Sequence, residues 1–288
     1  MVSDETPTRH FAVAHETDRH PMDSYLRMDR IPHIWCSGCG LGGMMAAFIQ
    51  ALQNTKRDLR YEVVVSGIGC SGRVAGYVGF DSFHTTHGRA LPFASGMKLA
   101  NPELNVTVIS GDGDLFAIGG NHLIHSARRN MDLLVLCFNN YIYGMTGGQV
   151  APTTPLKGIS TTTPYGNIEH PFNLSSLAAA AGATYVARWT SVDVRRLTHS
   201  IMEALDRKGF RFLEIIGPCP ISYGRMNKEG DGVRMAQAIQ GRSKIAHGTH
   251  PSDTDITDNG PIIIGKFVDV RKETFLEAYE SMRGTVKR

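Results

Sequence analysis

The chain has 288 residues, enough for one large or two small domains with a real hydrophobic core. Hydrophobic residues make up 42% and charged residues 20%, and a net charge of +3 without a long Lys/Arg block argues against a nucleic-acid partner. No stretch approaches the ~18 uninterrupted apolar residues of a membrane span, so a membrane is not expected either.

Residues 1–22 are polar, carry both charge signs and lack the apolar core of a signal peptide; they read as an N-terminal arm, with the cytoplasm as the expected compartment. Cys36-Ser37-Gly38-Cys39 then forms a CxxC in a Gly-rich turn before a helix-like stretch at 41–53. Strand-length apolar runs follow at 61–66, 105–110, 132–138, 184–188 and 211–216, with helix-like stretches at about 93–100, 117–129, 174–181 and 191–206. In the last of these Val194, Leu197, Ile201 and Leu205 recur at helical spacing, and Ser191 is read as the N-cap.

This alternation predicts an α/β fold: a mainly parallel sheet with helices on both faces, whose strands are apolar nearly throughout because both sides are buried. Beyond residue 222 the alternation stops. A helical stretch at 232–246, a polar segment at 249–261 and the lone run Ile262-Ile263-Ile264 remain. The expected organisation is an arm (1–22), an α/β domain (23–225) and a C-terminal extension (226–288) that packs on a partner subunit.

The run at 105–110 ends in Gly111-Asp112-Gly113-Asp114, and the run at 132–138 ends in Asn139-Asn140. Ligands of open parallel sheets bind outside the carboxyl ends of the strands. Asp112 and Asn140 each offer a hard oxygen there, Ile142 adds a main-chain carbonyl, and three protein oxygens suit Mg²⁺ that completes its shell with phosphate and water. Two Asx-rich turns are the bland alternative. Their pairing at the ends of consecutive strands, one helix apart, favours a Mg²⁺–diphosphate site and is similar to the signature of thiamine diphosphate enzymes.

The run at 61–66 opens into Gly67-Ile68-Gly69-Cys70-Ser71-Gly72, the outline of a dinucleotide-binding turn. That reading lacks its second half. Residues 74–83 do not suggest a helix followed by a strand, and 84–90 read HTTHGRA without the acidic residue a ribose needs. The glycines instead shape a turn that presents Cys70. Cys219, in Pro218-Cys219-Pro220, follows another strand, so Cys36, Cys39, Cys70 and Cys219 can meet at the edge that carries Asp112, whereas Cys137 sits within an apolar strand as core. Four thiolates hold either tetrahedral zinc or a [4Fe–4S] cluster, and spacing does not separate the two. A neighbouring diphosphate cofactor favours the electron acceptor.

Taken together, WCSGCG at 35–40, GIGCSGR at 67–73, HTTHGRA at 84–90, GDGD at 111–114, NNYIYGMTGGQ at 139–149 and GPCP at 217–220 resemble the beta subunit of 2-oxoacid:ferredoxin oxidoreductases over about residues 30–225. The resemblance implies the diphosphate side of a thiamine diphosphate-binding fold, with Mg²⁺ and one [4Fe–4S] cluster in this chain. It makes Cys36, Cys39, Cys70 and Cys219 the cluster ligands and Asp112, Asn140 and the Ile142 carbonyl the Mg²⁺ ligands. Ile68, Gly69, Cys70, Ser71, His87, Gly113, Asp114, Gly144 and Met145 then contact thiamine diphosphate, with His87 also in a catalytic role; His84 stays a loop histidine.

The implied reaction is reversible, coenzyme A-dependent oxidative decarboxylation, with electrons leaving through the cluster to ferredoxin. The implied assembly is an α2β2 complex whose alpha subunit supplies the activating glutamate and part of the coenzyme A surface. Arg73, just after the Cys70 turn, is expected to hold a second substrate carboxylate, which favours 2-oxoglutarate over pyruvate or a broad 2-oxoacid range. Two readings of other classes stand beside this one: a non-redox thiamine enzyme with structural zinc, and a dinucleotide-binding protein.

Overall fold

The apolar runs become strands of a single eight-stranded sheet in the computed structural model, which describes residues 20–257 and 260–286. Most of the expected N-terminal arm lies outside those residues. In chain order the strands are β1 (Glu62–Ser66), β2 (Ser82–His84), β3 (Asn105–Gly111), β4 (Leu133–Asn139), β5 (Ile142–Tyr143), β6 (Gln149–Val150), β7 (Tyr185–Thr190), β8 (Phe210–Ile216), β9 (Ser243–Ile245) and β10 (Ile262–Asp269). The helices are α1 (Leu41–Asn54), α2 (Ala90–Ala100), α3 (Gly120–Arg128), α4 (Leu174–Ala180), α5 (Val194–Leu205), α6 (Gly232–Arg242) and α7 (Phe275–Val286). Among the described residues no helix is long and apolar enough to cross a membrane.

The sheet order is β2-β1-β3-β4-β8-β7-β10-β9, parallel except that β10 runs antiparallel to β7; β5 and β6 form a separate hairpin. β4 shows why these strands read as continuous apolar runs. Its Leu134, Leu136 and Phe138 enter the core under α1 and α5, while Leu133, Val135 and Cys137 enter the core under α2, α3 and α4. Each such side chain contributes ~1.5–3 kcal/mol by leaving water.

From β1 the chain crosses to β2 on one side, and β3 lies on the other side of β1. The loops after β1 and β3 therefore diverge, and a crevice opens at the carboxyl edge between them, where open parallel sheets bind ligands.

Residues 226–288, expected as a C-terminal extension, also add to this sheet: β10 pairs with β7, β9 pairs with β10, and Ile262, Ile264, Ile239 and Phe267 join the two cores. Three expectations change. The stretch 232–246 is helical only to Arg242, because Ser243–Ile245 pairs with Ile262–Ile264. Ser191 is not the N-cap of α5. Its amide still donates to Ile216 O at the end of the β7–β8 ladder, and Asp193 caps the helix by accepting from the Arg196 amide. Finally, a helical turn at Ser71–Gly76 and the strand β2 do follow β1; β2 has three residues, Ser-Phe-His, too short and too polar to show a period.

Candidate active site

The turn after β1 and the turn after β3 are fastened to each other by Asp114. This carboxylate is 2% exposed. Its Oδ1 accepts from the amides of Ile68 at 3.3 Å and Gly88 at 2.8 Å, and its Oδ2 accepts from the Ser110 hydroxyl at 2.7 Å. His87 Nδ1 lies 2.5 Å from Oδ1, out of line for a hydrogen bond. The glycines of the first turn answer to these contacts. A Cβ on Gly67 would stand 1.8 Å from Asp114 Oδ2, one on Gly72 would stand 2.0 Å from Gly67 O, and Gly69 holds φ +115°. His84 braces the same turn, with Nδ1 2.9 Å from Ser66 Oγ and 3.1 Å from Gly72 O.

The residue after β3 is Asp112, also 2% exposed. Burial pushes its carboxyl up to about 7, against hydrogen bonds from the Thr153 hydroxyl and the Gly113 amide that favour the ionised form. Among the described residues it has no Arg, Lys or His ion-pair partner. A buried carboxylate without a cation is costly, so this position suits a bound metal ion. Asn140 is 8% exposed, and Tyr141 after it takes φ +66°, a left-handed conformation that folds the chain back so that the Ile142 amide meets Asn140 Oδ1 at 3.4 Å. Tyr143 then reaches across and donates to Gly113 O at 2.9 Å; a Cβ on Gly113 would lie 2.4 Å from its ring. The turn of π-helix at Gly113–Ile118, where the sequence predicts only an ordinary helix from 117, starts at this point.

Three loops bring cysteines to the same edge. The Cys39 amide donates to Cys36 O at 3.0 Å and closes the CxxC turn; the Gly40 amide donates to Pro218 O at 3.3 Å; the Trp35 indole donates to Cys70 O at 2.8 Å. A Cβ on Gly144 would lie 3.4 Å from the Cys219 sulfur and 3.7 Å from the Cys70 sulfur. Burial pushes the Cys39 thiol up to about 12, with the charges of Cys219, Cys70 and Cys36 adding to it. Burial also pushes Cys70 up to about 11, with Cys219 and Cys36 adding. These four sulfurs are therefore electrostatic neighbours. They do not close on one point: among the described residues no three His, Cys, Asp or Glu side chains gather tightly enough to hold a single metal ion. Cys137 is buried within β4, apart from the four.

One cleft joins the two halves. Every position expected to contact the cofactor lines it, together with Asp112, Asn140 and Ile142, and Cys70 is common to the cleft and the sulfur group. Tyr143 and Thr146 line it too; they fall inside the 139–149 motif but were given no role, and Thr153, behind Asp112, went unread. No glutamate lines it among the described residues. Arg73 is exposed and outside the lining. The helical turn at Ser71–Gly76 carries its guanidinium round to Gly76, where a Cβ would lie 4.0 Å from Arg73 Nη2 and 3.7 Å from Arg30 Nη1. Two roomier cavities lie behind the 141–157 segment; Asn139 and Thr153 line one of them.

Residues 67–215 match the family model of the thiamine pyrophosphate enzyme C-terminal TPP binding domain, which sets the class of the fold and removes the dinucleotide reading. The chain is 49% identical over 259 residues to the 2-oxoglutarate synthase subunit KorB of Methanocaldococcus jannaschii, covering 90% of this chain and 95% of that one. It is 50% identical over 250 residues to the KorB subunit of Methanothermobacter marburgensis, covering 87% of each. A solved 2-oxoglutarate:ferredoxin oxidoreductase from Magnetococcus marinus, with 2-oxoglutarate, coenzyme A and succinyl-CoA bound, matches with TM-score 0.82 and 29% identity over 95% of this chain and 93% of that one. The chain belongs to the family of KorB subunits of 2-oxoglutarate synthase.

Proposed function

We propose that this chain is the cofactor-carrying beta subunit of a 2-oxoglutarate:ferredoxin oxidoreductase, which converts 2-oxoglutarate and coenzyme A to succinyl-CoA and CO₂ and passes electrons to ferredoxin. The observation that carries the reading is the shared edge: a diphosphate-type cleft and four cysteines from three loops meet at Cys70. Thiamine diphosphate would supply the electron sink for decarboxylation, and a [4Fe–4S] cluster the one-electron acceptor.

Asp112, Asn140 and the Ile142 carbonyl would hold Mg²⁺, the hard oxygen set its octahedral shell accepts. Ile68, Gly69, Ser71, Gly113 and Gly144 would line the cofactor with backbone close to it, while Asp114 keeps the two turns in register. Cys36, Cys39, Cys70 and Cys219 would hold the cluster. Cysteines beside a redox-competent cofactor favour an electron-accepting cluster over structural zinc. Arg73, expected to hold the second carboxylate of the substrate, lies outside this cleft with its guanidinium beside Gly76, so its position does not carry that role.

The cleft lacks a glutamate, and apolar side chains stand exposed around it: Met145 at 44%, Ile118 at 55% and Ile221 at 45%. Both facts support an alpha subunit that covers the cleft; the α2β2 assembly and the cytoplasmic compartment are proposed on the family resemblance alone. Anaerobic co-purification with that subunit is the test. Iron and sulfide at about four each per beta chain, and Mg²⁺-dependent retention of thiamine diphosphate, are expected; stoichiometric zinc without sulfide would replace the reading with a non-redox thiamine enzyme.

A further inference from the structure

We infer that Thr153 is a positioning residue for the metal end of the cofactor: its hydroxyl orients the Asp112 carboxylate so that one oxygen remains for the cation. The inference rests on the Mg²⁺–diphosphate reading of the cleft. Thr153 is 3% exposed, and its Oγ1 donates to Asp112 Oδ2. That bond engages Oδ2, and Asp112 itself lines the cleft.

The next residue serves the facing strand end. Thr154 Oγ1 donates to Tyr141 O at 2.6 Å and accepts from the Ala151 amide at 2.8 Å. Adjacent hydroxyls thus brace both chain segments that carry the expected Mg²⁺ ligands, Asp112 on one and Asn140–Ile142 on the other. The bracing segment comes from beyond β6; the Thr154 hydroxyl also closes a local turn with Ala151, whereas the Thr153 hydroxyl reaches across to Asp112. Partners behind a metal ligand of this kind fix its orientation, and their loss costs 10–100-fold in metal affinity in typical cases.

The test uses the complex with its partner subunit, stripped of Mg²⁺ and thiamine diphosphate and then titrated with Mg²⁺ at a fixed thiamine diphosphate concentration, with quenching of tryptophan fluorescence as the readout. Thr153→Val keeps the shape and removes the hydroxyl; Thr153→Ser keeps the hydroxyl. The Val form should need roughly 10–100-fold more Mg²⁺ for half-saturation, and the Ser form should stay within about 3-fold of the parent. Thr153→Ala should behave as the Val form, and it decides the matter against Ser if the Val form does not assemble. Equal Mg²⁺ requirements for the parent and the hydroxyl-free forms would overturn the inference, as would a Ser form as weak as Val. A parent complex that binds thiamine diphosphate with no need of Mg²⁺ would overturn the metal reading of the cleft itself.

Discussion

Replacing Arg188 with Met should strip both stability and cofactor affinity from the protein, because one buried ion pair connects the C-terminal strands to the cleft. Arg188 and Glu214 are fully buried, with Arg188 Nε donating to Glu214 Oε2 at 2.8 Å. The Asn139 amide donates to the other Glu214 oxygen at 2.8 Å, and the Ser175 hydroxyl to Oε2 at 2.9 Å. Arg188 Nη1 reaches the carbonyls of Thr254 at 2.6 Å and Ile263 at 3.3 Å. The Met variant leaves Glu214 as an unpaired buried charge, a loss of about 3–5 kcal/mol against a total of about 5–15. At roughly 2–4 °C per kcal/mol for large domains, the melting temperature of the complex should fall by roughly 6–20 °C.

The double variant Arg188→Met/Glu214→Gln removes the stranded charge while Gln keeps an acceptor for Asn139. It should recover roughly 1–3 kcal/mol of the loss, and the orphaned carbonyls account for the remainder. Thiamine diphosphate affinity should follow the same order, since Asn139 precedes the expected ligand Asn140. Thermal unfolding followed by circular dichroism, with cofactor titration in parallel, measures both. A single variant as stable as the parent, or a double variant weaker than the single, would refute the argument that the stranded carboxylate is the cause.

Trp35→Phe keeps the ring against Tyr77 and His33 but removes the N–H that ties the CxxC loop to the Cys70 carbonyl. Because the Arg73 amide also reaches that carbonyl, the loss is one ordinary hydrogen bond, and iron release to a chelator should quicken roughly 2–10-fold; an unchanged rate would discard this coupling. The Asp269 carboxyl is held below the usual carboxylate range, chiefly by Arg207 and then by Lys266, and the Arg207 contact ties β10 to the turn after α5. A depressed folded pKa stabilises above the unfolded value of ~3.9 and loses its effect as pH falls through the folded value. Asp269→Asn should therefore cost under ~1 kcal/mol at neutral pH and nothing in strong acid, and a pH-independent gap in melting temperature would contradict it.

What the amino-acid order determines on its own is whatever is written locally. Apolar runs of strand length marked β1, β3, β4, β7 and β8, because a strand buried on both faces must be apolar along its whole length. Turn residues at strand ends marked Asp112, Asn140, Cys70 and Cys219, and a CxxC before α1 marked Cys36 and Cys39, because each motif is complete within a few positions. The tertiary structure alone decided how those pieces face one another. Residues 262–269 look solitary in the chain and become a strand only by pairing with β7 and β9. Asp114 reads as one more acid in a turn, yet it clamps segments from 67, 88 and 110. Thr153 carries no signal until Asp112 is seen beside it, and Arg73 leaves the cleft because a helical turn rotates it away. Gly38 and Gly232 make the point most simply: a Cβ on Gly38 would lie 2.7 Å from Gly232 Cα, a constraint set by two backbones that approach each other from distant parts of the chain. Such contacts depend on which elements fold against which, and a one-dimensional pattern holds no record of that.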